Sequence, residues 1–92
     1  MKDLVDTYKK LVNITLPATY TFPVRYNHCF GRIILDWLFQ DCWYHHLHRN
    51  KPAFSQLNEQ QLQSAISRMN EWIKDQQLLM DDNVASLNYR KQ

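Results

Sequence analysis

The sequence predicts a small all-α protein, a bundle of three to four helices crossed by an extended arm at residues 13–24. Apolar residues recur at helical spacing along most of the chain, and only one glycine and three prolines interrupt it. The one short alternating segment has no second strand with which to pair. Ninety-two residues with an apolar share of 45% suit a single domain, residues 1–92.

The first two segments are a helix and the arm. Residues 3–12 carry apolar side chains at helical spacing, with an aspartate near the start and two lysines near the end, a polarity that suits the helix dipole. The pattern changes in residues 13–24, where aromatic and polar side chains alternate and Pro17 and Pro23 exclude a central strand. We therefore expect this segment to lie extended across the helices.

Two longer helices follow the arm. Residues 26–48 form the longest uninterrupted segment, and apolar side chains cover nearly all of its surface, which is typical of a central, buried helix. Residues 59–80 form the clearest amphipathic helix, which Asn58 and Gln61 begin in a capping-box pattern. A short last helix is predicted to begin near residue 81.

A stripe of polar residues breaks the apolar surface of the central helix. Its members stand four residues apart and are therefore neighbours on the helix surface: His28, Arg32, Asp36 and Gln40. Because burying an unpaired charge is costly, Arg32 and Asp36 should pair or reach water. Three interpretations follow: a structural ion pair, a surface that binds a ligand or partner, and acid–base chemistry by His28 and Asp36. No nucleophile or phosphate-binding loop accompanies the third.

Aromatic residues beside the stripe favour the recognition surface. They make up 13% of the chain, and Trp37 and Trp43 point to different sides of the central helix. Both sides of the central helix need cover, and the rest of the sequence offers only one long amphipathic helix and several short segments. Either the arm or a second chain must therefore cover the remaining side of the central helix. We predict a partner-binding face made of His28, Arg32, Asp36, Trp37 and Trp43.

Three histidines within four positions indicate an alternative, a metal site at the end of the same segment. On one helix Cys42, His45 and His48 stand at successive spacings of three residues, and His46 is an alternative third ligand. No second cluster elsewhere in the sequence completes a tetrahedral site. The other interpretations are a helix end in which histidines favour the dipole, and a pH-sensitive or phosphate-contacting patch formed with neighbouring basic residues.

Charge and hydropathy exclude several classes of protein. Eleven Lys and Arg against nine Asp and Glu leave a formal net charge of +2, too small to indicate nucleic acid or an anionic membrane. No apolar run approaches the ~20 residues of a membrane span, and the first residues lack the apolar region of a secretion signal. Cys29 and Cys42 would lie about 20 Å apart on one helix, too far for a disulfide, which suits a reducing cytoplasm.

Several short runs resemble a group of small bacterial proteins, cyanobacterial ones among them. The runs are Asn27-His28-Cys29-Phe30, Arg32-Ile33, Asp36, Trp43 and KPAFSQL at residues 51–57, within roughly residues 25–70. The resemblance implies a stand-alone small protein in which Asn27, His28, Arg32 and Asp36 are the positions to mutate. Some members are labelled acetyltransferases, which implies a Gln/Arg-x-x-Gly-x-Gly/Ala turn on a mixed sheet. Gly31 is the only glycine here, so this chain lacks that turn.

The sequence therefore predicts a small cytoplasmic module that binds and regulates another protein, or binds a second copy of itself, through the polar-aromatic face of its central helix. The alternative is a regulator that binds a metal or a small ligand through Cys42, His45 and His48. No cofactor is predicted, and an enzymatic role would rest on His28 and Asp36 alone.

Overall fold

The computed structural model describes residues 1–22, 24 and 26–91, and most of them are helical. The α-helices are α1 (Lys2–Lys10), α2 (Leu16–Thr19), α3 (Asn27–Phe39), α4 (Glu59–Lys74) and α5 (Gln76–Tyr89). A π-helical turn, Leu11–Thr15, joins α1 to α2, and 3-10 turns lie at Trp43–His45 and Ala53–Gln56. The predicted all-α bundle is confirmed, and the described residues contain no strand.

The core forms around α3, as expected for a central helix. Phe30, Ile33 and Ile34 are fully buried, and α3 packs against α2, α4, α5 and the π-helical turn. Burial of each such side chain contributes about 1.5–3 kcal/mol to folding. Within the described ranges, no helix combines the length and the apolar character that crossing a membrane requires.

The extended arm predicted for residues 13–24 is much shorter in the structure. The chain stays helical through the π-helical turn and α2, and Pro17 is the second residue of α2. The backbone leaves the helical region at Tyr20, which has extended dihedral angles of φ −127° and ψ 137°. The Tyr20 hydroxyl donates to the Trp72 carbonyl at 2.7 Å and fixes this segment to α4. The prediction for Pro23 lies outside the described residues.

The central helix also ends earlier than predicted, at Phe39. Gln40 takes the left-handed conformation, φ 54° and ψ 38°, which stops an α-helix. Its side-chain amide donates to the Trp37 carbonyl at 2.6 Å. The backbone N–H of Trp43 then donates to Asp36 Oδ1 at 2.9 Å, so the aromatic segment after α3 folds back over the helix.

The predicted helix 59–80 is two helices. The capping box at its start is confirmed, with Asn58 and Gln61 bonded to each other's backbone N–H groups at 2.8 and 2.9 Å. Asp75 breaks the helix with an extended backbone, and its carboxylate accepts hydrogen bonds from two backbone N–H groups of α5. The last helix is therefore fourteen residues long. It covers α3, the role that the sequence assigned to the arm or to a second chain.

We expect Tyr8 to make the fold sensitive to alkaline pH. Tyr8 is 5% exposed, and burial raises the pKa of its hydroxyl above the ordinary 10.0, because the phenolate would lose its hydration. The folded pKa exceeds the unfolded one, so the neutral form stabilises the fold below pH 10 and this contribution is lost as the pH rises further. Urea unfolding should show a free energy that falls by up to about 1.4 kcal/mol for each pH unit above 10.

Tyr8→Phe is the control for this pH dependence. It keeps the ring in the core and removes the group that ionises, so the decline above pH 10 should be shallower than in the wild type. Equal slopes for both proteins would contradict the assignment.

Candidate binding site

The structure divides the five predicted partner-binding residues among three places. Trp37 lies at the edge of two smaller cavities towards α4 and α5, and Asp36 is fully buried. The other three line a single cavity of about 380 Å³. We call it the α3 cleft, and its walls are His28, Arg32, Trp43 and Tyr44, with Gly31, Leu35 and Ala53 between them.

The cleft forms because two local structures face each other. His28, Arg32 and Leu35 stand at i, i+4 and i+7 and therefore share one face of α3. The chain that folds back after α3 supplies the opposite wall, where the rings of Trp43 and Tyr44 meet edge to face with centroids 4.6 Å apart. The cleft therefore depends on the early end of α3, which the sequence did not predict.

Arg32 is partly buried in this wall and is held by neutral groups. Its Nη1 donates to Ser86 Oγ at 2.7 Å and its Nη2 to Asn83 Oδ1 at 2.8 Å. A guanidinium carries five N–H donors, so three have no acceptor among the described residues. Burial, followed by the charge of Arg90, lowers the pKa of Arg32 from its ordinary value. The sequence predicted that Arg32 and Asp36 either pair or reach water; in the structure the Ser86 hydroxyl bridges the two residues.

Asp36 lies beneath the cleft and organises it. Its Oδ2 accepts hydrogen bonds from Ser86 Oγ at 2.5 Å and Arg90 Nε at 3.0 Å. Its Oδ1 accepts from Arg90 Nη2 at 3.3 Å and from the backbone N–H of Trp43. Asp36 thus joins α3, the end of α5 and the aromatic turn, and it lies behind the residues that line the cavity.

The rim of the cleft is positively charged. The Tyr44 ring is flanked by the guanidinium carbons of Arg49 at 4.0 Å and Arg90 at 4.9 Å from its centroid. Together with Arg32, three guanidinium groups stand around the cleft, and one of them, that of Arg90, pairs with Asp36. The described residues that line the cavity include no Asp or Glu. Arg49 follows the end of α3 by ten residues and Arg90 lies far from it in the sequence, so the helical pattern of α3 gave no sign of either.

The structure assigns Trp37 to a second polar network. The guanidinium of Arg68 lies 5.0 Å from the Trp37 ring centroid and binds both carboxylate oxygens of Asp82, at 2.8 and 2.9 Å. Asp82 also accepts a hydrogen bond from Trp72 Nε1 at 2.8 Å. These contacts join α3, α4 and α5, which gives Trp37 a packing role outside the α3 cleft.

The acid–base interpretation requires His28 and Asp36 to share a site. The His28 ring is exposed and stacks on Tyr26, with centroids 5.6 Å apart. Asp36 is fully buried among other partners, and the described contacts include no hydrogen bond between the two residues. The structure therefore does not assemble this pair.

The predicted metal ligands are also not brought together. Cys42 is buried, whereas the rings of His45 and His46 are exposed and face the same oxygen of Asp41, at 3.1 and 3.2 Å. The hydrogen bond from His45 is the largest cause that lowers the pKa of Asp41. Because α3 ends before this segment, Cys42, His45 and His48 do not share a helix face. In the part of the chain that the structure describes, no three His, Cys, Asp or Glu side chains are grouped to hold a metal ion.

The α3 cleft thus unites three of the five predicted residues with an aromatic wall and a positive rim. Its geometry is fixed by hydrogen bonds from α5 and its C-terminal end, and by the bond between Asp36 and the backbone of Trp43. No family model, curated protein or solved structure matches this chain.

Proposed function

We propose that this chain is a small regulatory module that binds another protein, with the α3 cleft as its contact surface. The convergence of Arg32, Trp43 and Tyr44 on one cavity carries the proposal, because Arg, Trp and Tyr dominate the energetic hot spots of protein interfaces. The cavity, about 380 Å³, lies within the range of binding pockets and admits a large side chain of the partner.

The side chains of the cleft are already held in place by internal hydrogen bonds, which supports the proposal. Ser86 and Asn83 fix the plane of the Arg32 guanidinium, and Asp36 fixes the start of the aromatic turn through the Trp43 backbone. Side chains that are already ordered lose less conformational entropy on association. A small surface can then bind a partner with useful affinity.

The cytoplasm is the compartment that we propose for this module. Cys29 is partly buried and Cys42 is buried, and both are free thiols. Free thiols persist in reducing compartments.

Selection from a library of random linear peptides displayed on phage tests the proposed function. We expect enriched peptides to share a motif and to bind with dissociation constants of about 1–100 μM. Tyr44→Ala should weaken that binding by at least about 30-fold, the size of effect that defines an interface hot spot. Phe22→Ala is the matched control, because Phe22 is also an exposed aromatic residue but lies outside the cleft. A library that yields no binder, or binders equally tight for Tyr44→Ala and the wild type, would contradict the proposal.

A second copy of this chain is the other protein partner that the proposal includes. Val84 and Leu87 stand three positions apart on α5 and are 56% and 45% exposed, so they offer a small apolar surface to a second copy. Sedimentation velocity distinguishes the two partners. A dimer that Tyr44→Ala dissociates would identify a second copy in the cleft, a dimer that only Leu87→Glu dissociates would have its interface on α5, and a monomer leaves the cleft to another protein.

A further inference from the structure

The charges around the α3 cleft are unequally satisfied. Asp36 receives four hydrogen bonds, from Ser86, from Arg90 twice and from the Trp43 backbone. A carboxylate offers about four lone-pair positions, so Asp36 has no capacity left for Arg32. Arg90 is committed to this buried carboxylate, whereas Arg32 forms no ion pair in the described structure.

Arg32 therefore presents a partly buried positive charge and unused donors to a cavity. The electrostatic attraction between this charge and an anion is stronger inside such a cavity than in open solvent, because water is partly excluded and screens the attraction less. The planar guanidinium matches one carboxylate with two parallel hydrogen bonds. The surrounding walls are apolar and aromatic, since Leu35, Ala53 and Trp43 contribute them.

We propose that the α3 cleft recognises an acidic segment of the partner protein, in which an Asp or Glu carboxylate pairs with Arg32 and a neighbouring aromatic or aliphatic side chain packs against Trp43 and Tyr44. This inference rests on the proposed function. A phosphorylated segment fits less well, because phosphate is recognised by clusters of arginines, and Arg32 is the one arginine among the described residues that line the cavity. A free small anion would leave the apolar walls uncovered.

Titration of the ¹⁵N-labelled protein with blocked tetrapeptides tests the inference, with two-dimensional ¹H–¹⁵N NMR spectra recorded at each peptide concentration. The probes contain Glu-Phe or Phe-Glu, and their counterparts carry Gln in place of Glu; acetate and inorganic phosphate serve as separate arms. We expect a Glu peptide to shift the backbone amides of residues 28–35 and 43–44. Its affinity should exceed that of its Gln counterpart by at least about 10-fold, the effect of one charge-assisted hydrogen bond.

Variants of Arg32 complete the test. Arg32→Met should lower the affinity for the Glu peptide to that for the Gln peptide, and should leave the Gln peptide unaffected. Lys74→Met is the matched control, because it removes one charge from the last turn of α4, outside the cleft. The Glu and Gln peptides are also compared on the wild-type chain, so the inference stays testable even if Arg32→Met fails to fold.

The possible failures are distinguishable. Equal affinity for Glu and Gln peptides at the cleft would overturn the acidic inference and leave the protein-binding function standing. Shifts at the cleft with phosphate or acetate but with no peptide would overturn both. Cleft shifts with the Glu peptide that Arg32→Met leaves unchanged would overturn the role of Arg32.

Discussion

Asp36→Asn is expected to lower the free energy of unfolding by about 3–5 kcal/mol, the usual cost of removing one partner from a buried ion pair. Asp36 is fully buried, and its carboxylate binds Arg90 and Ser86 and the backbone of Trp43. The neutral amide would leave the Arg90 charge without compensation and would place an N–H₂ group where only acceptors fit. Urea unfolding followed by far-ultraviolet circular dichroism measures this loss.

Two further variants make the result specific. Asp6→Asn removes an exposed carboxylate from α1 and should stay within about 0.5 kcal/mol of the wild type. Arg90→Met removes the other charge, and the double variant should cost clearly less than the sum of the single ones, because the two residues interact directly. A loss below about 1 kcal/mol for Asp36→Asn, or strictly additive costs, would contradict the structural role of this pair.

Trp72→Ala is expected to cost about 3–5 kcal/mol, a large share of the 5–15 kcal/mol that stabilises a typical domain. Trp72 heads the fully buried side chains by volume, and its removal leaves a cavity in the core. It also leaves Asp82 without the indole N–H at 2.8 Å. Thermal and urea unfolding measure the combined effect.

Trp72→Phe separates the two contributions. The phenyl ring refills most of the cavity but donates no hydrogen bond, so this variant should cost about 1–3 kcal/mol. Trp37→Ala is the matched control for a partly exposed tryptophan and should cost less than Trp72→Ala. Equal losses for the two alanine variants would mean that burial does not determine the cost at these positions.

The helical character of the fold was predictable because its signals are local. The periodic apolar residues and the capping box of Asn58 and Gln61 depend on neighbours within a turn or two. The end of α3 was not predictable in this way. Gln40 has no special preference for the left-handed conformation, and the turn is held by a hydrogen bond between Asp36 and Trp43, seven residues apart. The segment around Pro17 was predicted to be an extended arm because Pro17 excludes a central strand, but proline also suits the first turn of a helix, where the structure places it.

The candidate site was likewise predictable only where its signals are local in sequence. His28 and Arg32 were recognisable because their spacing on α3 is a property of the helix itself. Tyr44 and Ala53 join the cleft only after the chain folds back, and Arg90 reaches Asp36 across 54 positions of sequence. Asn83, Ser86 and Arg90 stand three and four residues apart and therefore share one face of a helix. This spacing is the sequence signal that could have indicated that the last helix packs against the polar stripe of α3.

The polar inner face of α5 has a consequence for how that helix docks. Apolar side chains tolerate sliding, whereas Asp82, Ser86 and Arg90 each meet a specific partner on another helix. A shift of α5 by one turn, about 5.4 Å, would separate all three from their partners at once. The helix therefore docks in one register or detaches, and the orientation of Arg32 depends on the same contacts. Occupancy of the cleft and docking of α5 are thus thermodynamically linked. A ligand that needs the oriented guanidinium of Arg32 should therefore also slow hydrogen exchange of the backbone amides in α5.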